Sequence, residues 1–231
     1  MSEGEILSHF IEDITVGQSA SFERAIQAQK AGKFKAEIVA VPVPQRKGDP
    51  VLVDEDEGPK KAQLDKMPGL KPAFSKDGTV TAANASSIND GAAALVVTSA
   101  AVAQKHGLPV LARIVGDSSA AVEPKWSTIA PVEALRRLYA KTSTKPADWD
   151  LYEINEAFAG VTMAAMKEHG IAHDRVNVHG GAVSLGHPIG CSGARILVTL
   201  IHALKDRGEK RGIATLCIGG GEAVALGVEL V

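Results

Sequence analysis

From residue 110 onward, short apolar runs of strand length alternate with longer runs whose apolar residues recur at helical spacing. Residues 110–115 read as a strand, and a loop rich in Ser, Ala and Pro leads from there to Ser127. Pro131 then opens a helix with Val132, Leu135 and Leu138 on one face. Residues 150–154 read as a strand running directly into a helix over 156–169, and residues 176–178 as a further strand before a glycine turn. Over 194–205, Ile196, Leu197, Leu200, Ile201 and Leu204 repeat with the helical period. The last two strands, 212–218 and 223–230, are joined across Gly219, Gly220 and Gly221. Neither a helix stripe nor a sheet face can bury itself alone, so this alternation calls for a layered α/β domain with helices packed on a central sheet.

The part before residue 110 is less regular. Residues 1–37 carry helical patterning, clearest over 22–32, where Gly32 follows Lys30 as a C-terminal cap. A short strand over 36–43 comes next. Between Pro42 and Pro72 the composition turns to Pro, Gly, Lys and Asp, and the acidic run 54–57 stands beside Lys60 and Lys61. That segment reads as irregular and solvated rather than as a binding surface. Residues 79–84 read as a strand, residues 89–98 as close-packed small-residue structure of no assigned type, and Gly107 with Pro109 as a boundary.

Composition removes several classes of function. A chain of 231 residues that is 45% hydrophobic and 23% charged can bury a core, as one large domain or two small ones. Its net charge of −2 leaves no basic excess to neutralise phosphates, so neither nucleic acid nor an anionic membrane is an expected partner. Cys191 and Cys217 are too few for a disulfide framework or a cysteine-rich zinc site, which fits a reducing compartment. The histidines are scattered without ligand spacing, and no metal site is expected. No apolar run approaches the roughly 18 residues of a membrane span, and the first residues lack a signal-peptide pattern. The expected location is the cytoplasm.

Three polar positions fall at strand ends or turns, where α/β folds place their chemistry. Asn155 directly follows the apolar strand; as an N-cap it would accept a hydrogen bond from an early helical N–H, and that role alone would account for it. His187 sits between Gly186 and Pro188, which restrict its backbone and aim the imidazole; a structural and a proton-transferring histidine both fit. Glycines at 180, 181, 186, 190 and 193 point to a close approach of backbone to something. Cys217 leaves an apolar strand and meets three glycines. It is either an inert small hydrophobe or a thiol beside unhindered N–H groups that bind an oxyanion. Cys191 ranks second, in the turn feeding the helix at Ala194, where a helix N-terminus would lower its pKa.

Taken together, the segments 155–158 (Asn-Glu-Ala-Phe), 186–188 (Gly-His-Pro) and 217–221 (Cys-Ile-Gly-Gly-Gly), in this order and about thirty residues apart, resemble the C-terminal half of the thiolases. Residues 78–86, 89–94, 176–181 and 192–195 carry further wording similar to that family, so the likeness runs from about Ala28 to Val231. The wording of residues 180–188 is nearest the biosynthetic acetoacetyl-CoA type, acetyl-CoA C-acetyltransferase.

That resemblance implies a thiolase-like layered α/β/α fold: residues 1–75 as part of the loop region, 76–108 as the terminal part of the N-terminal domain, and 109–231 as the complete C-terminal domain. It implies acyl transfer in fatty-acid metabolism on acetyl-CoA, acetoacetyl-CoA or another 3-ketoacyl-CoA, with the coenzyme A thioester as substrate and no cofactor. By motif, Cys217 would be the acid/base thiol, His187 would activate the nucleophile and help hold the thioester oxygen, and Asn155 would hold the water of the first oxyanion hole. Gly219 would offer an N–H to the second hole, and Ser86 would touch the pantetheine arm. Family members carry a nucleophilic cysteine early in the N-terminal domain, in a segment matching nothing here. A second polypeptide supplying that half, and an oligomer, are therefore the expected partners. The competing expectation is a non-catalytic, thiolase-like protein that binds coenzyme A or a partner.

Overall fold

The structure, a computed structural model, describes residues 14–231, with side chains from residue 20 onward. The helical patterning expected over 1–13 and the reading of the first residues lie outside that range. In chain order the elements are α1 (Ile14–Lys30), β1 (Val41–Val43), β2 (Val51–Val53), α2 (Glu57–Lys61), α3 (Ala100–His106), β3 (Ala112–Ala121) and α4 (Ala130–Thr142). They continue with β4 (Leu151–Ile154), α5 (Ala159–His169), α6 (Ala182–Leu185), α7 (Ser192–Arg207), β5 (Arg211–Ile218) and β6 (Glu222–Leu230).

The main sheet has the order β3-β6-β5-β4, antiparallel except for the parallel pair β4–β5. Successive strand residues point to opposite faces, and the two faces are apolar in different company. Tyr152, Ile154, Ile213, Ala223 and Ala225 pack with Leu135 and Leu138 of α4 and Val161 and Ala165 of α5. Leu151, Ala214 and Val228 pack on the other side against Ile196, Leu200 and Leu204 of α7. The result is the expected α/β/α layering, with β4 and β5 buried between helices. Trp149 lies fully buried below Gly227, where an added Cβ would come within 2.5 Å of its ring.

Where the local readings fail, side-chain hydrogen bonds are the usual cause. Residues 176–178 make no strand, because Asn177 turns the backbone to φ 47°. Its side chain instead imitates a ladder: Oδ1 accepts from Ile154 N at 2.8 Å and Nδ2 donates to Ile154 O at 2.8 Å. Residues 79–84 are likewise a turn, closed by Thr81 N donating to Asn84 Oδ1 at 2.7 Å and Asn84 Nδ2 donating to Thr79 O at 2.8 Å. Both are the competition that Asn offers to backbone pairing. Strand β3 continues through the expected loop to Ala121, paired along β6. Its polar Ser118 is satisfied there by donating to Ala134 O at 2.7 Å.

Of the expected strand over 36–43, only β1 forms, after a 3-10 turn over Lys33–Ala36 that buries Phe34. Gly32 ends the first helix in the left-handed region, at φ 67°. The 42–72 segment contains β2, α2 and a 3-10 turn over Leu64–Gly69. Its charge run makes exposed ion pairs, Lys60 with Glu55 and Lys61 with Glu57. Residues 89–99 adopt no regular element, and α3 then runs from the Ser99 cap to Gly107 at φ 62°.

Candidate active site at the ends of β4 and β5

β4 does not pass straight into a helix. Asn155 continues beside β5, donating its N–H to Thr215 O at 2.9 Å, and α5 begins only at Ala159, whose N–H is taken by Asn84 O at 2.8 Å. Asn155 is therefore not the N-cap expected from its position; Phe158 holds that place. Freed from capping, its side chain reaches His187, with Nδ2 3.3 Å from Nε2. Asn155 Oδ1 is buried and has no hydrogen-bond partner among the described residues, which leaves an open acceptor at the site.

His187 is held from three sides. Gly186 stands at φ 97° and a Cβ there would meet Asn89 Oδ1 at 2.4 Å, so only glycine lets the 89 segment close over this turn. The His187 N–H donates to Ser87 O at 2.9 Å, and Nδ1 lies 2.6 Å from Ser192 Oγ at the start of α7. Burial, with the Arg195 guanidinium adding to it, pushes the imidazole pKa below its ordinary value. The ring is thus neutral at neutral pH, with a nitrogen lone pair to accept a proton.

The Ser87 bond also brings its neighbour into place. Ser86 donates both its N–H, at 3.1 Å, and its hydroxyl, at 3.0 Å, to Ala157 O. Asn155, His187 and Ser86 are therefore joined through residues 155–157 and 86–87. Cys217 lies two residues beyond Thr215 on β5, opposite Ala223, and packs half-buried against the α4–α5 face of the core. Burial raises its thiol pKa. It makes no hydrogen bond to His187 or Asn155 among the described residues. Gly219 follows in the turn to β6, with nothing within 4 Å of a Cβ placed on it. Gly221 is the constrained member of that turn: at φ 94°, a Cβ would meet Val122 O at 2.3 Å.

Cys191 departs from expectation. It precedes α7, yet it is buried, and that burial raises its pKa although Arg195 opposes the shift. The glycines at 180, 181 and 186 do serve close approach, but to the chain itself: Ser21 O, the Glu156 carboxyl and Asn89 fill the space. Gly190 is open and Gly193 meets only Leu216 at 3.9 Å.

Several supporting residues were given no role by sequence reasoning. Glu156 is buried and accepts from Ser21 Oγ at 2.7 Å, Asn177 Nδ2 at 2.9 Å and Val183 N at 3.1 Å. It pins α1, α6 and the 155–158 segment together. Its adjacency to Asn155 was the available signal. Ser192 was visible only as one letter in a motif. Glu153, fully buried on β4, faces Arg195 at 3.4 Å; a charged residue inside an apolar strand was the signal for it. No group of three or more His, Cys, Asp or Glu is gathered as for a metal ion among the described residues.

Two family models cover nearly all of this architecture. The thiolase C-terminal domain matches residues 108–230 and the thiolase N-terminal domain residues 19–101. The chain belongs to the thiolase family. It is 56% identical over 210 residues to an acetyl-CoA acetyltransferase of Cupriavidus necator, covering 90% of this chain and 53% of that protein. It is 53% identical over 213 residues to acetyl-CoA acetyltransferase 2 of Arabidopsis thaliana, covering 91% and 53%. The crystal structure of the Bacillus anthracis acetyl-CoA acetyltransferase superposes with a TM-score of 0.93 at 45% identity, over 98% of this chain and 58% of that one. The Acat5 thiolase from Ascaris suum, solved in complex with coenzyme A, gives a TM-score of 0.87 at 38% identity, over 100% and 59%. This thiolase chain spans about half the length of the curated relatives it matches.

Proposed function

We propose that the chain contributes the C-terminal part of an acyl-CoA C-acyltransferase, condensing acetyl-CoA or cleaving acetoacetyl-CoA or another 3-ketoacyl-CoA. The observation that carries this reading is the contact between Asn155 and a neutral, positioned His187, beside an unpartnered acceptor on Asn155. In the cleavage direction, a nucleophilic cysteine from a second polypeptide would give its proton to His187 and attack the 3-keto carbon. The bond between C2 and C3 then breaks, and the acetyl-CoA enolate takes a proton from Cys217. Free coenzyme A then gives its thiol proton to the Cys217 thiolate and attacks the acyl carbon; the bond from that carbon to the nucleophile breaks, a new thioester leaves, and the freed cysteine thiolate takes its proton back from His187.

Asn155 would hold the water of the first oxyanion hole, and Gly219 a backbone donor of the second. Ser86 would contact the pantetheine arm; its hydroxyl proton goes to Ala157 O, which leaves the oxygen as an acceptor. No cofactor enters this scheme. Residues 1–75 would be the loop region, 76–108 the end of the N-terminal domain and 109–231 the C-terminal domain. The N-terminal partner would complete the first domain, within an oligomer in the cytoplasm. No helix among the described residues is long and apolar enough to cross a membrane.

A second reading is a non-catalytic protein that binds coenzyme A. It is favoured by the two thiols of the chain, because burial raises the pKa of both and neither is an activated nucleophile. Acetoacetyl-CoA thiolysis by the purified chain, run with its oligomeric mass and a Cys217→Ala control, separates the cases. The proposal expects no turnover from the chain alone, with coenzyme A binding retained. Turnover abolished by Cys217→Ala would show that a thiol of this chain replaces the nucleophile, and the two-polypeptide account would fail.

A further inference from the structure

His187 is tied to two neighbours whose hydrogen bonds together match one tautomer of the ring. Ser192 is 1% exposed and begins α7. Its hydroxyl donates to Pro188 O at 3.0 Å, while the same oxygen lies 2.6 Å from His187 Nδ1. A hydroxyl has one proton. Once that proton is given to Pro188 O, Oγ can only accept, so Nδ1 must be the N–H. On the other side of the ring, Asn155 Nδ2 is a donor 3.3 Å from Nε2. A donor on that line is matched by a lone pair on Nε2.

From these bonds we propose that Ser192 is a positioning residue, which holds His187 as the Nδ1–H tautomer so that Nε2 faces the reacting groups as a base. This goes beyond the aim of the imidazole. Without the serine, Nδ1–H would be a half-buried donor with no acceptor. The ring would revert toward the Nε2–H tautomer that free imidazole side chains favour, and a base would become a donor. The inference rests on the reading of His187 as the proton acceptor for its mechanistic meaning, but not for its structural content.

The test is 15N NMR of the full chain with ring-labelled histidine at neutral pH, His187 being assigned by the signals lost in His187→Asn. Long-range proton–nitrogen correlations distinguish a protonated ring nitrogen from an unprotonated one. The expected result is a protonated Nδ1 and an unprotonated Nε2, with about a fivefold excess of this tautomer, the ratio one intramolecular hydrogen bond sustains. Ser192→Ala is expected to lose that excess, and Ser192→Thr, which keeps the hydroxyl, to restore it. The wild-type spectrum alone overturns the proposal if Nε2 carries the proton. An unchanged tautomer in a folded Ser192→Ala chain overturns it as well, by showing that Asn155 or the ring's surroundings suffice. Neither result depends on turnover. A failed thiolysis assay therefore leaves this inference standing, and a failed tautomer assignment leaves the acyl-transfer reading standing.

Discussion

Replacing Glu153 by Gln is expected to stabilise the fold, by an amount that grows with pH. Glu153 lies fully buried in β4; its Oε2 faces Arg195 Nη1 at 3.4 Å and its Oε1 has no partner among the described residues. Burial raises its pKa from the ordinary value of 4.5 to about 8. Arg195 opposes this, and the nearby Glu156 and Glu37 add to it. The unfolded chain thus loses this proton near pH 4.5, whereas the folded chain keeps it up to about pH 8. Folding therefore takes up a proton between those values, and stability falls as pH rises through that window, then levels off. At roughly 1.4 kcal/mol per pH unit, the cost reaches about 3 kcal/mol at pH 7 and is on the order of 5 kcal/mol by pH 8.

Glutamine has the shape of the protonated acid and does not titrate. The gap between Glu153→Gln and wild type should therefore be close to zero at pH 4.5 and open steadily above it. Urea unfolding at pH 5, 7 and 8.5, with m-values compared between the two chains, reads this directly. A gap that is constant with pH would refute the reasoning. So would a glutamine variant less stable than wild type at pH 7, since that would mean the Arg195 pair operates as a charged one.

Further substitutions probe the frame of the site. Asn177→Ala strands Ile154 N–H and C=O and one bond to Glu156, and should cost about 2–4 kcal/mol in urea unfolding, summed over buried groups left unpaired. A loss below about 1 kcal/mol would mean that backbone pairing replaces the amide. Gly227→Ala drives a methyl into the buried Trp149 ring and should cost about 1–3 kcal/mol, with altered tryptophan fluorescence; unchanged fluorescence and stability would contradict the close packing there. Because burial raises the Cys217 pKa, its alkylation by iodoacetamide at pH 7 should be slower than that of a free thiol and should rise more steeply above pH 8.5. A faster reaction would place an activating charge beside it.

The parts of the fold that were legible in the sequence are those that packing periodicity dictates. Leu135 and Leu138 of α4, and Ile196, Leu200 and Leu204 of α7, are buried as their spacing requires, and β5 and β6 meet across the glycine turn. The parts that were not legible depend on single polar side chains. Asn177 satisfies Ile154 with its amide and removes a strand that Val176 and Val178 suggest. Asn84 does the same to residues 79–84. At the site, motif wording singled out Asn155, His187 and Ser86, which the structure joins. It contained Ser192 and the partnered Glu156 but gave neither a role, because the contacts that define them connect residues far apart in sequence or across a turn. The Asn155 capping reading failed for a related reason: Asn84 O takes the Ala159 N–H, so the helix starts four residues later than Asn155.

The central proposal is that His187 and Cys217 handle the protons, and Asn155 the oxyanion water, of a thiolase site whose nucleophile comes from another polypeptide. Its most direct test is acetoacetyl-CoA thiolysis by this chain mixed with a thiolase N-terminal half that carries the nucleophilic cysteine. The account predicts a complex of both chains, turnover absent from either alone, and loss of that turnover by at least about 100-fold in Cys217→Ala or His187→Asn, the scale of a lost acid/base group. A complex without turnover, or turnover that survives both substitutions, would contradict it.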